Sequence, residues 1–161
     1  MDIFEVSQVV MTIGSTYLVR LQPSEDVVMT VKGSLMSSTP KFSLMQGADG
    51  GPELASLVGN FIKTKYQILD AEKKPLGNLL FPAIAFKKTL VLTVNGRGYT
   101  ADGGLMGGSF KCVDNEDQVA LEISNKSSFV DRFEINIKGA IPKEVGLLAA
   151  VAIHSRFFEF V

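Results

Sequence analysis

Between Ile3 and Ile137 apolar side chains recur mainly at every second position, in short runs divided by glycine, proline, asparagine, aspartate and serine. Successive side chains of an extended chain point to opposite faces, so each run places one apolar row inward and one polar row outward. The runs are Ile3–Val6, Tyr17/Val19/Leu21, Val27/Met29/Val31, Phe42/Leu44, Tyr66/Ile68, Leu76–Phe81, Leu90/Leu92/Val94, Phe110/Cys112, Val119/Leu121/Ile123 and Phe133/Ile135/Ile137. They predict about ten short antiparallel strands. Turn chemistry falls between them at Gln22–Asp26, Asp49–Pro52, Glu72–Pro75 and Asn95-Gly96. Asn-Gly is the clearest, because both central residues of a type I′ turn need positive φ.

A short unit repeats within this series. Tyr66-Gln67-Ile68-Leu69-Asp70 aligns with Phe110-Lys111-Cys112-Val113-Asp114, and each is followed by a polar turn and a returning apolar strand. Phe42–Gly51 is a looser third copy. The unit is a hairpin, too short to be a domain.

After Ile141 the period changes. Pro142-Lys143-Glu144 leads into Val145-Gly146-Leu147-Leu148-Ala149-Ala150-Val151-Ala152-Ile153, which predicts a helix with proline at its first position and an acid at the positive end of its dipole. The apolar run has no polar side chain on any face, so the helix must be enclosed. A membrane span needs ~20 apolar residues, and this run is too short. The remaining enclosure is a closed antiparallel barrel with the helix through its centre, which also removes exposed sheet edges.

The 161 residues are 46% hydrophobic and 20% charged, with no internal boundary, which describes one globular domain. With 16 basic against 17 acidic residues, a surface built for nucleic acid is not expected. Cys112 is the only cysteine, which excludes an intramolecular disulfide. The acidic N-terminus, Met1-Asp2-Ile3-Phe4-Glu5, lacks the basic and apolar regions of a secretory signal, so the expected location is cytoplasmic. Asn125-Lys126-Ser127 then has no meaning as a glycosylation acceptor.

The order of these features resembles the tubby C-terminal-like superfamily, which includes the LURP-one-related proteins and the phospholipid scramblases. The resemblance is carried by the hairpins Tyr66–Asp70 and Phe110–Asp114, the strand Phe133–Ile137, and above all Gly146–His154, and it runs over roughly residues 40–157. It implies a single domain over residues 1–161, mainly β, with an antiparallel closed barrel of about twelve strands around a central C-terminal hydrophobic helix. The first forty residues would add strands or pack outside. The resemblance also implies binding of anionic phospholipid headgroups through exposed basic side chains, peripheral to a membrane. Scramblase activity is not expected. No separate membrane anchor follows the helix, and Asp70-Ala71-Glu72-Lys73-Lys74 puts lysines where a calcium loop wants acids.

Candidate chemistry is sparse. His154, the only histidine, lies where a helix C-terminus favours a packing or capping role. Cys112 alternates with Phe110 on an inward row and is expected to be a buried, inert thiol. With one His and one Cys, a typical structural zinc site is unattainable, and no metal or cofactor is expected. Gly96-Arg97-Gly98-Tyr99-Thr100-Ala101 has the letters of a dinucleotide fingerprint, but the run Asp102–Gly108 that follows cannot be the helix that motif opens. Its glycines suit turns, sharp bends or a mobile rim.

Basic side chains gather at Lys63/Lys65, Lys73/Lys74 and Lys87/Lys88, with Arg97 close behind. Spaced by two, Lys63 and Lys65 would share one face of a strand. Lys63, Lys65, Lys87, Lys88 and Arg97 are the candidate ligand-binding residues, provided they converge. The leading expectation is a non-catalytic module that binds an anionic phospholipid, a membrane surface or a protein partner. Two alternatives stand beside it: a small-molecule carrier or enzyme with a rim pocket using His154 or Asp102, and a self-associating structural subunit.

Overall fold

The computed structural model describes residues 2–9, 15–34, 37–82, 88–103, 109–125, 132–138 and 140–157; the side chains of Lys88, Asp102, Asn125 and Phe157 lie outside the description. Among these residues are twelve strands and one helix. The strands are β1 (Asp2–Gln8), β2 (Thr16–Leu21), β3 (Val27–Gly33), β4 (Lys41–Gln46), β5 (Glu53–Gly59), β6 (Lys65–Asp70), β7 (Pro75–Leu80), β8 (Lys88–Val94), β9 (Arg97–Gly103), β10 (Ser109–Val113), β11 (Val119–Asn125) and β12 (Arg132–Ile137). Each pairs antiparallel with its neighbour in sequence, and β1 closes the ring on β12 through the register Phe4↔Ile135 and Val6↔Phe133. Residues 1–40 therefore complete the barrel through β1, β2 and β3. No sheet edge is left over.

The alternation read from the sequence sorts the side chains as expected. Val6, Val19, Val31, Leu44, Leu57, Ile68, Leu92, Leu121 and Ile135 point inward and are fully buried. Outward positions include Glu5, Arg20, Gln67, Glu122 and Glu134. A membrane-spanning barrel carries the opposite pattern, an apolar band outside and polar groups within.

Two of the twelve strands are absent from the sequence-based series. In β5 the inward row is Ala55, Leu57 and Gly59, and in β9 it includes Tyr99 and Ala101. Small inward residues leave the alternation nearly silent. Gly59 is required by its neighbour, since a Cβ there would lie 2.7 Å from the Tyr66 ring. Asn95-Gly96 forms the β8–β9 corner with φ of 51° and 77°, so the glycine-rich segment that follows begins a strand and opens no helix.

The repeated hairpin has a common mechanism. Asp70 Oδ1 accepts hydrogen bonds from the backbone N–H groups of Glu72 and Lys74, both at 2.9 Å. Asp114 Oδ1 does the same for Glu116 and Gln118, at 2.8 and 3.0 Å. Each hairpin has a register shift just before its Asp, between Ile68 and Leu69 and between Cys112 and Val113, and a positive-φ residue at the same place in the turn, Lys73 or Asp117. The aromatic and apolar residues of the unit face inward, and its Asp satisfies the turn's donors.

Helix α1 (Lys143–Phe157) occupies the interior. It packs against β12 and also against β5, β6 and β7, which lie across the ring from β12. Val145 and Leu147–Ile153 are at most 2% exposed, around the whole circumference of the helix. Each large aliphatic side chain so enclosed contributes about 1.5–3 kcal/mol. Pro142 sits one position earlier than the sequence suggested, immediately before the helix, where its carbonyl accepts the Gly146 N–H at 3.0 Å. Gly146 marks the closest approach to the wall: a Cβ would lie 2.8 Å from Ile137 Cδ1 and 3.4 Å from Leu121 Cδ1.

Antiparallel strands alternate in direction, so the barrel has two distinct rims. The helix enters at the rim where even-numbered strands end and leaves at the rim where they begin. The entry rim carries the turns Gln22–Asp26, Gly47–Pro52, Ala71–Lys74, Asn95-Gly96 and Asp114–Gln118, and the β5–β6 turn belongs to the exit rim.

Candidate functional site

With α1 inside, the chemistry available to a partner lies on the outer wall and the rims. His154 belongs to the interior. Its imidazole Nδ1 is 3.0 Å from the Tyr17 hydroxyl, its ring stacks on Phe133 at 5.4 Å between centroids, and Tyr17 meets it edge-on at 5.5 Å. This is a packed, hydrogen-bonded ring near the helix end. Cys112 is 1% exposed, and burial pushes its thiol up to about 12, which keeps it protonated and poorly nucleophilic at neutral pH. Among the described residues, no helix is long and apolar enough to cross a membrane.

The five candidate basic residues divide between the rims. Lys65 opens β6 at the exit rim and is exposed. Lys63 does not share a strand face with it, because the chain turns through Lys63 with φ 57° before the strand begins. Its ammonium instead donates to the Ser155 carbonyl at 3.4 Å, near the C-terminal end of α1. Lys88 opens β8 at the same rim, two strands from Lys65, or roughly 10 Å along the wall. Lys87 lies outside the described residues. Arg97 opens β9 at the entry rim, roughly 20 Å away along the strand direction, and cannot join the others. There it lines a polar cleft of about 780 Å³ with Asp114, Asn115, Glu116 and Gln118.

The second lysine pair read from the sequence also belongs to the entry rim. Lys73 is ion-paired with Glu53, and its hydrogen bond holds the Glu53 carboxyl below the usual carboxylate range. That lysine has a local partner.

Other basic groups join the exit rim. Lys41, Lys65, Lys88 and Arg132 are the first residues of β4, β6, β8 and β12. The entry-rim turns instead carry Glu25, Asp26, Asp49, Glu72, Glu116 and Asp117. Acidic groups thus predominate at the entry rim, where Lys73, Lys74 and Arg97 also sit, and basic groups at the exit rim.

Next to the basic rim lie apolar side chains that strand periodicity does not mark. Phe61 and Ile62, in the β5–β6 turn, are 76% and 63% exposed. On the wall below, the register Lys65↔Leu80↔Val91 sets two part-exposed aliphatic groups beside a lysine. Lys65, Gln67, Asn78 and Leu80 line a shallow groove of about 380 Å³. The signal for Phe61-Ile62 was present as an apolar pair inside a turn that begins with Asn60, where polar residues are the rule.

No protein-family profile matches the chain, nor does any curated protein sequence. Among solved structures, the Arabidopsis thaliana protein AT5G01750 superposes with a TM-score of 0.61 over 94% of this chain and 88% of its own, at 10% sequence identity. The likeness is one of fold. At 94% of the chain it extends beyond residues 40–157, over which the sequence carries the resemblance.

Proposed function

We propose that this chain is a tubby C-terminal-like barrel, of the LURP-one-related and scramblase-like kind, and that it acts as a non-catalytic module binding anionic phospholipid headgroups at a membrane surface. The observation that carries the reading is the gathering of Lys41, Lys65, Lys88 and Arg132 at the start of strands on one rim, while the interior is filled by α1. A filled barrel leaves no internal cup for a ligand, unlike open lipid-carrying barrels. Basic groups near an anionic surface each add about 1 kcal/mol of attraction, and several on one rim act together. Lys87 and Lys88 remain part of the proposed contact, and Arg97 is left out of it.

The reading is tested by co-sedimentation with vesicles of phosphatidylcholine alone and of phosphatidylcholine mixed with phosphatidylserine. Binding is expected only to the anionic vesicles and is expected to fall as salt rises. Replacing Lys65 and Lys88 by Glu is expected to weaken binding about tenfold or more, with the thermal midpoint unchanged. Salt-insensitive binding, or no binding to the anionic vesicles, overturns the proposal.

A further inference from the structure

The turn between β5 and β6 is built to hold two apolar side chains in water. Asn60 organises it: its Oδ1 accepts the Thr64 and Lys65 N–H groups at 2.8 and 3.0 Å, and its Nδ2 donates to Thr64 Oγ1 at 2.8 Å. The backbone closes the same loop, with Asn60 N–H donating to the Lys65 carbonyl at 2.9 Å and Lys63 N–H to the Asn60 carbonyl at 3.1 Å. The base is tied to the barrel by the Phe81 N–H on the Thr64 carbonyl at 2.7 Å and by Lys63 on the helix end. Thr64 is buried, and Phe61 and Ile62 at the tip are the two most exposed large apolar side chains among the described residues.

The surroundings say what the tip meets. Basic residues open four of the six strands that begin at this rim, and acidic residues outnumber basic ones in the turns of the other. The turns of the opposite rim, such as Gln22–Asp26 and Asp114–Gln118, are polar. Apolar side chains ringed by basic ones match the boundary between headgroups and acyl chains of an anionic bilayer, where apolar burial and charge attraction add.

We infer that Phe61 and Ile62 form a rigid membrane-inserting tip, which enters the acyl boundary of an anionic bilayer and docks the barrel with its helix-exit rim down and its acidic rim facing the water. This inference rests on the lipid-binding reading above and adds to it a depth and an orientation. Because the turn is ordered before contact, insertion loses little conformational entropy.

The chain has no tryptophan, so a single introduced indole reports on one place. With phosphatidylcholine–phosphatidylserine vesicles, the fluorescence of F61W is expected to shift to the blue and to be quenched by brominated acyl chains. That of A71W, in an entry-rim turn, is expected to do neither. The double variant F61S/I62S, whose thermal midpoint should match the parent, is expected to lose about tenfold or more in vesicle affinity. If the parent binds anionic vesicles and F61S/I62S binds equally well, or if A71W is quenched as strongly as F61W, the inserting tip is refuted and the headgroup reading stands. If the parent binds no anionic vesicle even at low salt, both fall together.

Discussion

Cys112 illustrates how burial decides chemistry at the scale of one residue. Its thiol faces the interior with Phe110 and Leu121, and the lack of water around it raises its pKa from 9.0 to about 12. The folded chain therefore keeps this proton at pH values where the unfolded chain has lost it. Stability must fall as pH rises through that interval, by about 1.4 kcal/mol per pH unit from this group. Denaturant unfolding at increasing alkaline pH is expected to show a shallower decline for Cys112→Ala than for the parent, and equal slopes would contradict the assignment. His154 makes the complementary point. Position at the end of an apolar helix suggested packing or capping; the Tyr17 hydroxyl and the Phe133 ring are the groups that pack it, and only the folded register brings them there.

Among the elements, the Asp-terminated hairpins are the units most open to test. Asp114→Ala removes the acceptor of two backbone donors and should cost about 1–2 kcal/mol, read as a lower denaturant midpoint with an unchanged slope. Asp70→Ala should behave alike, and because the turns are separate the double variant should show the sum. These hairpins were legible beforehand because an aromatic, an aliphatic and an aspartate recur at fixed spacing. Strands β5 and β9 were not, since Ala55, Gly59 and Ala101 pack inward without contributing to an apolar pattern. Overlooking a strand matters beyond the count. Each strand carries the chain from one rim to the other, so the rim reached by any later residue depends on every strand before it. Arg97 was grouped with Lys87 and Lys88 on closeness in sequence alone, although β8, itself legible beforehand, takes it to the opposite end. Lys63 failed differently: turn formation at Asn60 ends the extended chain before the lysine can point along a strand.

At the scale of the whole molecule, scaffold and contact surface occupy different places and should fail separately. Leu148 has no exposed surface, and Leu148→Asp would bury an unpaired carboxylate at the centre of the barrel. Circular dichroism and size-exclusion chromatography should find that variant unfolded or aggregated. Charge reversal at the exit rim should instead leave the fold intact. The apolar helix was legible from its composition alone, because a segment with no side suited to water leaves few places for it to go.

That helix also sets an order of events during synthesis. All twelve strands precede it in the chain, so the ribosome delivers the wall before the plug. Until α1 emerges, the inward rows have nothing to close upon, and the nascent strands expose apolar surface and pairing edges for as long as translation continues. The barrel can be completed only once the helix has emerged, and a cell making it has reason to shelter the growing chain.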